Sequence, residues 1–134
     1  MAGATSTASN RNTSDFRNPA KDLRQRTKQF ALRVLRLVDA LPRNRSADTL
    51  GRQLLRSGTS VGANYRAACR ARSTAEFCSR MGIVEEEADE SAYWMELLIE
   101  GGLVRESLLK SLLQEANELV AITVASIRTA RKKR

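Results

Sequence analysis

Four arginines, Arg52, Arg56, Arg66 and Arg70, recur at steps of four, ten and four residues, which places them along one side of a helix. A guanidinium is permanently charged and grips carboxylate or phosphate oxygens in pairs, so such a row suits an ion-pair ladder or a polyanion. A counterpart exists further along the chain, where Glu86, Asp89, Glu96 and Glu100 share one side of another helical stretch. If the two rows meet between subunits, the arginines serve assembly. If they do not, the arginines are free for phosphates.

Other chemistry is harder to assemble. The chain contains no histidine, which removes the Glu-x-x-His pairs of di-iron bundles and the usual base for a serine or cysteine nucleophile. Ser60 and Ser73 therefore have no activating partner. Glu86, Glu87, Glu90, Glu96 and Glu100 carry oxygens of the kind that bind Mg²⁺ or Mn²⁺. Glutamates on a helix, however, more often form a solvated or ion-paired face. No phosphate loop and no Cys-x-x-Cys occurs, and Cys69 and Cys78 form neither a disulfide framework nor a zinc site. The expectation is a protein that is not an enzyme and uses no metal or cofactor.

Among the aromatic residues, Tyr93 and Trp94 sit beside Glu90 and Glu96, whose charge repels phosphate, so both are expected to anchor helix packing or a subunit interface. Tyr65, next to Arg66, is better placed to stack on a base, but its position in an apolar pattern argues for burial.

The charge distribution sharpens the question. The 134-residue chain carries a net charge of +8, but residues 1–72 hold 15 Lys/Arg against 4 Asp/Glu, residues 73–127 hold 3 against 11, and residues 128–134 add five cations. A basic front half thus meets an acidic back half. That asymmetry can join subunits, present a basic face to nucleic acid, or simply be two solvated faces. No signal-peptide pattern and no apolar run of about 18 residues is present, so a cytoplasmic location without membrane contact is expected.

The elements that must position these residues are four helices. Residues 1–17 are rich in Ser, Thr, Ala and Asn without periodicity and read as a disordered tail. Asn18-Pro19 supplies a cap and a first helical residue, and helix one runs over about 19–41 with Leu23, Phe30, Val34, Leu37 and Leu41 on its inner stripe, widened by Ala31, Leu35 and Val38. Helix two, about 46–70, is capped by Ser46 and buries Leu50, Leu54, Val61 and Tyr65. Ser73 and Glu76 form a capping box for helix three, about 73–100, the Ser73 hydroxyl accepting from the backbone at Glu76 and that carboxylate returning to the Ser73 amide.

Helix three has the most regular pattern in the chain. Phe77, Met81, Val84, Ala88, Ser91, Met95 and Leu98 alternate in steps of four and three. Ile83, Trp94 and Leu97 form a second stripe, which implies two packing partners. Gly101-Gly102 ends it, and helix four, about 105–129, turns Leu109, Leu112, Ala116, Leu119, Val120, Thr123 and Ile127 inward. Residues 131–134 are a basic tail. The pattern predicts an all-α, up-down-up-down antiparallel four-helix bundle.

Helix two is unusual in carrying Gly51, Gly58 and Gly62 among its apolar anchors, each costing about 1 kcal/mol of helix propensity relative to alanine. Close approach of a neighbouring helix would compensate. Gln53, Ser57, Ser60 and Asn64 recur beside them as a polar seam that can fix register by hydrogen bonds, or lie exposed on a poor helix.

Three segments carry a family resemblance: Ser-Val-Gly-Ala-Asn at 60–64, Arg-Ser-x-x-Glu-Phe at 72–77, and Glu-Ala-Asp-Glu-Ser-x-Tyr-Trp-x-Glu-Leu-Leu-Ile-Glu at 87–100. They resemble the bacterial four-helix-bundle proteins encoded in intervening sequences of large-subunit ribosomal RNA genes, and the resemblance spans helices one to four without the tails. It implies a ring-like homo-oligomer, a pentameric barrel of bundles, with no catalytic set. The accessory variability protein of diversity-generating retroelements is similar in fold, which implies nucleic acid and a reverse transcriptase as partners. Ala67 departs from the pattern, standing where an acidic residue is expected after Asn64-Tyr65-Arg66.

Together these readings point to a self-associating bundle that binds nucleic acid, structured RNA above all, through backbone phosphates. The candidate contacts are Arg24, Lys28, Arg33 and Arg36 on helix one, Arg52, Arg56, Arg66 and Arg70 on helix two, and the tail residues Arg131, Lys132, Lys133 and Arg134. Ser60, Asn64, Tyr65, Tyr93 and Trp94 are the candidates for helix packing or a subunit interface. The alternative is a protein-interaction scaffold whose charge asymmetry is used in assembly and whose partner is a polypeptide.

Overall fold

The computed structural model describes residues 19–133. The proposed tail at 1–17, the capping residue Asn18 and the terminal Arg134 lie outside the described residues. Four helices follow one another: α1 Pro19–Asp39, α2 Arg45–Cys69, α3 Thr74–Glu100 and α4 Glu106–Lys132. Among the described residues there is no strand.

The helices form a four-helix bundle. Each packs against its neighbour in sequence, while α1 and α4 close the arrangement with a sparser contact. Thr27 lies against Gly62 and Val34 against Gly58, so residue numbers rise on α1 as they fall on α2, the antiparallel pairing that a short turn enforces. The core is mainly aliphatic, with Phe30 its largest fully buried side chain: Phe30 and Val34, Leu54 and Val61, Met81, Val84, Met95 and Leu98, and Leu109 and Leu119 are all fully buried.

The pattern in α3 explains why it touches both α2 and α4. Met81, Val84, Ala88, Ser91, Met95 and Leu98 are buried as expected, Phe77 is half-buried, and Ala92 is buried as well. These residues make one broad stripe with small members on it, so two helices can share it. The expected second stripe is weaker: Ile83 is exposed, and Trp94 and Leu97 are half-buried. On α1, Leu35 is likewise exposed, because it lies past the edge of the surface that α2 and α4 cover.

The ends of the helices correct several expectations. Asn44, not Ser46, caps α2: its backbone is extended and its Oδ1 accepts from the Ala47 N–H at 2.9 Å, leaving Ser46 within the first turn. Helix α1 ends at Asp39 rather than 41, with Leu41 still packed on the core. At α3, Ser73 Oγ accepts from the Glu76 N–H at 3.0 Å, but the Glu76 carboxylate accepts from the Arg72 N–H, one residue before the position expected of a capping box. Gly102 takes a φ of +73° in the turn after α3, a conformation that favours glycine. Helix α4 continues past 129 to Lys132, so Arg131 and Lys132 belong to its last turn, where cations favour the helix dipole.

Candidate nucleic-acid interface

The small residues of α2 set the geometry. A Cβ on Gly62 would sit 3.2 Å from Thr27 Oγ1, and one on Gly58 would sit 2.9 Å from both γ carbons of Val34. The two helices therefore approach closely along this line. Thr27, Ala31, Gly62 and Ala63 leave a shallow floor, and longer side chains on either side rise as walls.

Those walls are cationic. Arg24 and Lys28 from α1 and Arg66 and Arg70 from α2 line a groove of about 610 Å³ whose lining includes no carboxylate. The contact of Thr27 with Gly62 places Arg24 roughly level with Arg66. Lys28 then lies about 6 Å along the bundle in one direction and Arg70 about 6 Å in the other, one helical turn each. Among the described residues, none of these four cations pairs with a carboxylate. Four unneutralised charges around one low floor concentrate a positive field there.

The remaining basic candidates go elsewhere. Arg33 turns to α4 and donates from Nη2 to Ser111 Oγ at 2.8 Å. Arg36 and Arg52 are exposed outside the groove. Arg56 leans the other way, to α3, pairing with Glu87 at 3.0 Å and with Glu90. The negative charge of Glu87 in particular holds the Arg56 guanidinium above its ordinary pKa. Arg131 and Lys132 are exposed at the end of α4, and Lys133 follows them beside a second groove.

Within one chain the two charged rows do not meet. Glu86, Asp89, Glu96 and Glu100 are exposed, and the acids that meet an arginine of α2 are Glu87 and Glu90, nearer the α2–α3 seam. Arg56 and Arg66 stand about 80° apart around the helix at 100° per residue. That is enough for one to reach α3 and the other to border α1.

The polar seam also resolves into parts. Ser57 is fully buried and meets Ser91 of α3. Ser60 donates to the Arg56 carbonyl and Asn64 to the Ser60 carbonyl, both within α2, and Gln53 is exposed. Register across the α2–α3 seam therefore rests on Ser57 rather than on Ser60 or Asn64. Tyr65 is buried in the core, where burial first and the Cys69 thiol second push its phenol well above the usual value. Trp94 is half-buried and donates from Nε1 to Glu90 at 3.2 Å, while Tyr93 stays about half exposed with its ring edge-on to Trp94 at 5.1 Å.

Two basic residues outside the sequence candidates take a definite place in the structure. Arg26 forms a two-pronged ion pair with Glu115 of α4, at 2.6 and 3.1 Å, and touches Glu118 at 3.1 Å. The hydrogen bond to Glu115 holds its guanidinium above the ordinary value. Arg72, in the turn after α2, lines the second groove with Lys133. Arguments from helix faces pass over a turn residue. The three cations at 66, 70 and 72, within seven residues, are the available signal.

Among the described residues there is no group of three or more His, Cys, Asp or Glu side chains that could hold a metal ion. Among the same residues, no helix is long and apolar enough to cross a membrane.

Comparison with known proteins agrees with this architecture. A search of the curated proteins finds no match. A crystal structure at 1.70 Å of a protein of unknown function from the S23 ribosomal protein family of Bacteroides thetaiotaomicron superposes with a TM-score of 0.74 at 32% identity, covering 78% of this chain and 97% of that one. Residues 21–125, which take in nearly all of the four helices, match the family described as 23S rRNA-intervening sequence protein. The chain belongs to the 23S rRNA-intervening sequence protein family.

Proposed function

We propose that this chain is a non-enzymatic, cytoplasmic bundle protein that self-associates and binds nucleic acid, with structured RNA as the favoured ligand, through backbone phosphates. One observation carries the reading: Arg24, Lys28, Arg66 and Arg70 converge on a groove without a carboxylate in its lining. Cations held in that way have no internal use, whereas Arg26 and Arg56 do. The family's name ties its members to an intervening sequence of 23S rRNA, which favours RNA among polyanions.

Self-association as a ring-like pentamer completes the reading. Leu108 is 69% exposed beside an apolar hollow formed by Leu37, Leu41, Leu103 and Val104, and Leu32 and Leu35 are exposed on the outer side of α1. Apolar surface of this kind marks interaction sites.

The test is titration of the nuclease-treated protein into a structured RNA, a DNA duplex and a mixed-sequence single strand, each across a salt series, with its mass in solution measured by light scattering. Binding through phosphates requires a steep fall of affinity with salt. Weak binding, equal for all three ligands and gone near physiological salt, would assign the cations to assembly and direct attention to a polypeptide partner.

A further inference from the structure

A second groove, of about 1100 Å³, opens at the end of the bundle where α1 begins and α2 ends. Its interior is apolar, with Leu23, Phe77, Ile122 and Ala125 among the lining residues, and its rim carries Arg24, Arg72 and Lys133. No carboxylate lines it. Ser126 and Thr129 also line it. Arg24 lines both grooves, so the cationic groove and the apolar recess lie side by side.

A polyanion of uniform surface, such as a regular duplex, has no use for that recess. Its bases are stacked inside, and its outer face is phosphate and sugar. An unpaired nucleotide is different: its phosphates remain on the outside while its base is free to swing away and bury an aromatic face. The two grooves match these two halves. The step of about 6 Å from Arg70 to the Arg24 and Arg66 level to Lys28 suits successive phosphates along one strand, and Phe77 offers a ring within the recess. The hydroxyls of Ser126 and Thr129 can exchange hydrogen bonds with a base edge, and Arg72 and Lys133 can hold the flanking phosphates.

We infer that the ligand is RNA presenting an unpaired nucleotide, whose phosphates lie along Arg24, Lys28, Arg66 and Arg70 and whose base enters the recess beside Phe77. This inference rests on the RNA-binding reading above and adds to it the part of the RNA that is recognised.

The test uses the full chain and three probes: an RNA stem-loop, the blunt RNA duplex made from the same stem, and the stem-loop with abasic loop nucleotides. The stem-loop is expected to bind about tenfold more tightly than the other two, the difference that stacking of one base provides. Ala125→Phe fills the recess from an exposed position on α4 without altering the buried core, and is expected to lower stem-loop affinity about tenfold while leaving duplex affinity unchanged. The paired substitution Arg24→Ala/Arg66→Ala is expected to weaken all three probes.

An abasic loop that binds as tightly as the intact loop overturns the inference, as does an Ala125→Phe variant that binds the stem-loop normally. A change in oligomer mass in Ala125→Phe, with RNA affinity unaltered, would give the recess to a second copy of the chain. If Arg24→Ala/Arg66→Ala leaves every probe unaffected, the RNA-binding reading itself falls.

Discussion

Ser91 Oγ lies 2.9 Å from Ser57 Oγ and 2.8 Å from the Glu87 carbonyl, inside a seam where both serines are fully buried. The pair is the polar pin of the α2–α3 contact. A buried hydroxyl deprived of its partner costs about 1–3 kcal/mol, whereas removing both partners together costs less than the two losses added. Ser57→Ala and Ser91→Ala are each expected to destabilise the protein by about 1 kcal/mol, and the double variant by less than the sum. A urea-denaturation cycle reads the coupling, and strict additivity would show that the bond contributes nothing.

Two glycines should respond to alanine with opposite signs. At Gly58 a Cβ would lie 2.9 Å from both γ carbons of Val34, and overpacking of this kind costs about 1–3 kcal/mol. That loss exceeds the gain of about 1 kcal/mol in helix propensity. At Gly82 nothing lies within 4 Å, so alanine there should stabilise by about 0.4–1 kcal/mol. Thermal melts of Gly58→Ala and Gly82→Ala check both signs, and adding Val34→Ala to the first should restore part of its stability.

Tyr65 should make the protein alkali-sensitive. Its phenol titrates near pH 10 when unfolded and higher when folded, because burial and then the Cys69 thiol disfavour the phenolate. A pKa raised on folding contributes stability that is fully present below about pH 10 and is lost as pH rises beyond it. Between pH 9 and 11.5, stability is expected to fall more steeply in the wild type than in Tyr65→Phe. Parallel curves would mean that the phenol ionises as readily in the fold as out of it.

Arg56 and Arg66 should behave differently toward RNA despite their common helix. If Arg66 holds a phosphate as proposed, Arg66→Ala is expected to lower the slope of log affinity against log salt by about 1. Arg56→Ala removes a charge already neutralised by Glu87 and Glu90 and should leave RNA affinity within about twofold. Equal losses in the two variants would mean that the phosphate path crosses the α2–α3 side of the bundle as well.

Asn44→Ala should cost about 1 kcal/mol through loss of the α2 cap, whereas Ser46→Ala, inside the first turn, should fall within about 0.5 kcal/mol of wild type. Chemical denaturation of the two variants separates them. This pair also shows where sequence reading slips. Asn44, Ser46 and Asp48 all have side chains that favour helix starts, and the choice among them depends on where Pro42 and the end of α1 leave the backbone.

What the sequence by itself determined was local. The four-and-three alternation of α3 is a property of one helix's own geometry, and it placed Met81, Val84, Ala88, Ser91, Met95 and Leu98 in the core because apolar side chains on a common stripe leave water together. Burial of Tyr65 and the end of α3 at Gly101-Gly102 followed from the same kind of reasoning. What only the tertiary structure decided was the partner of each charge. Arg24, Lys28, Arg66 and Arg70 gather, while Arg33 turns to Ser111 and Arg56 to Glu87 and Glu90, because ion pairing depends on the register and closeness of two helices that are distant in sequence. The α1–α2 register is set by Gly58 and Gly62 lying against Val34 and Thr27, and the α2–α3 register by Ser57 against Ser91, contacts that no periodicity within a single helix encodes.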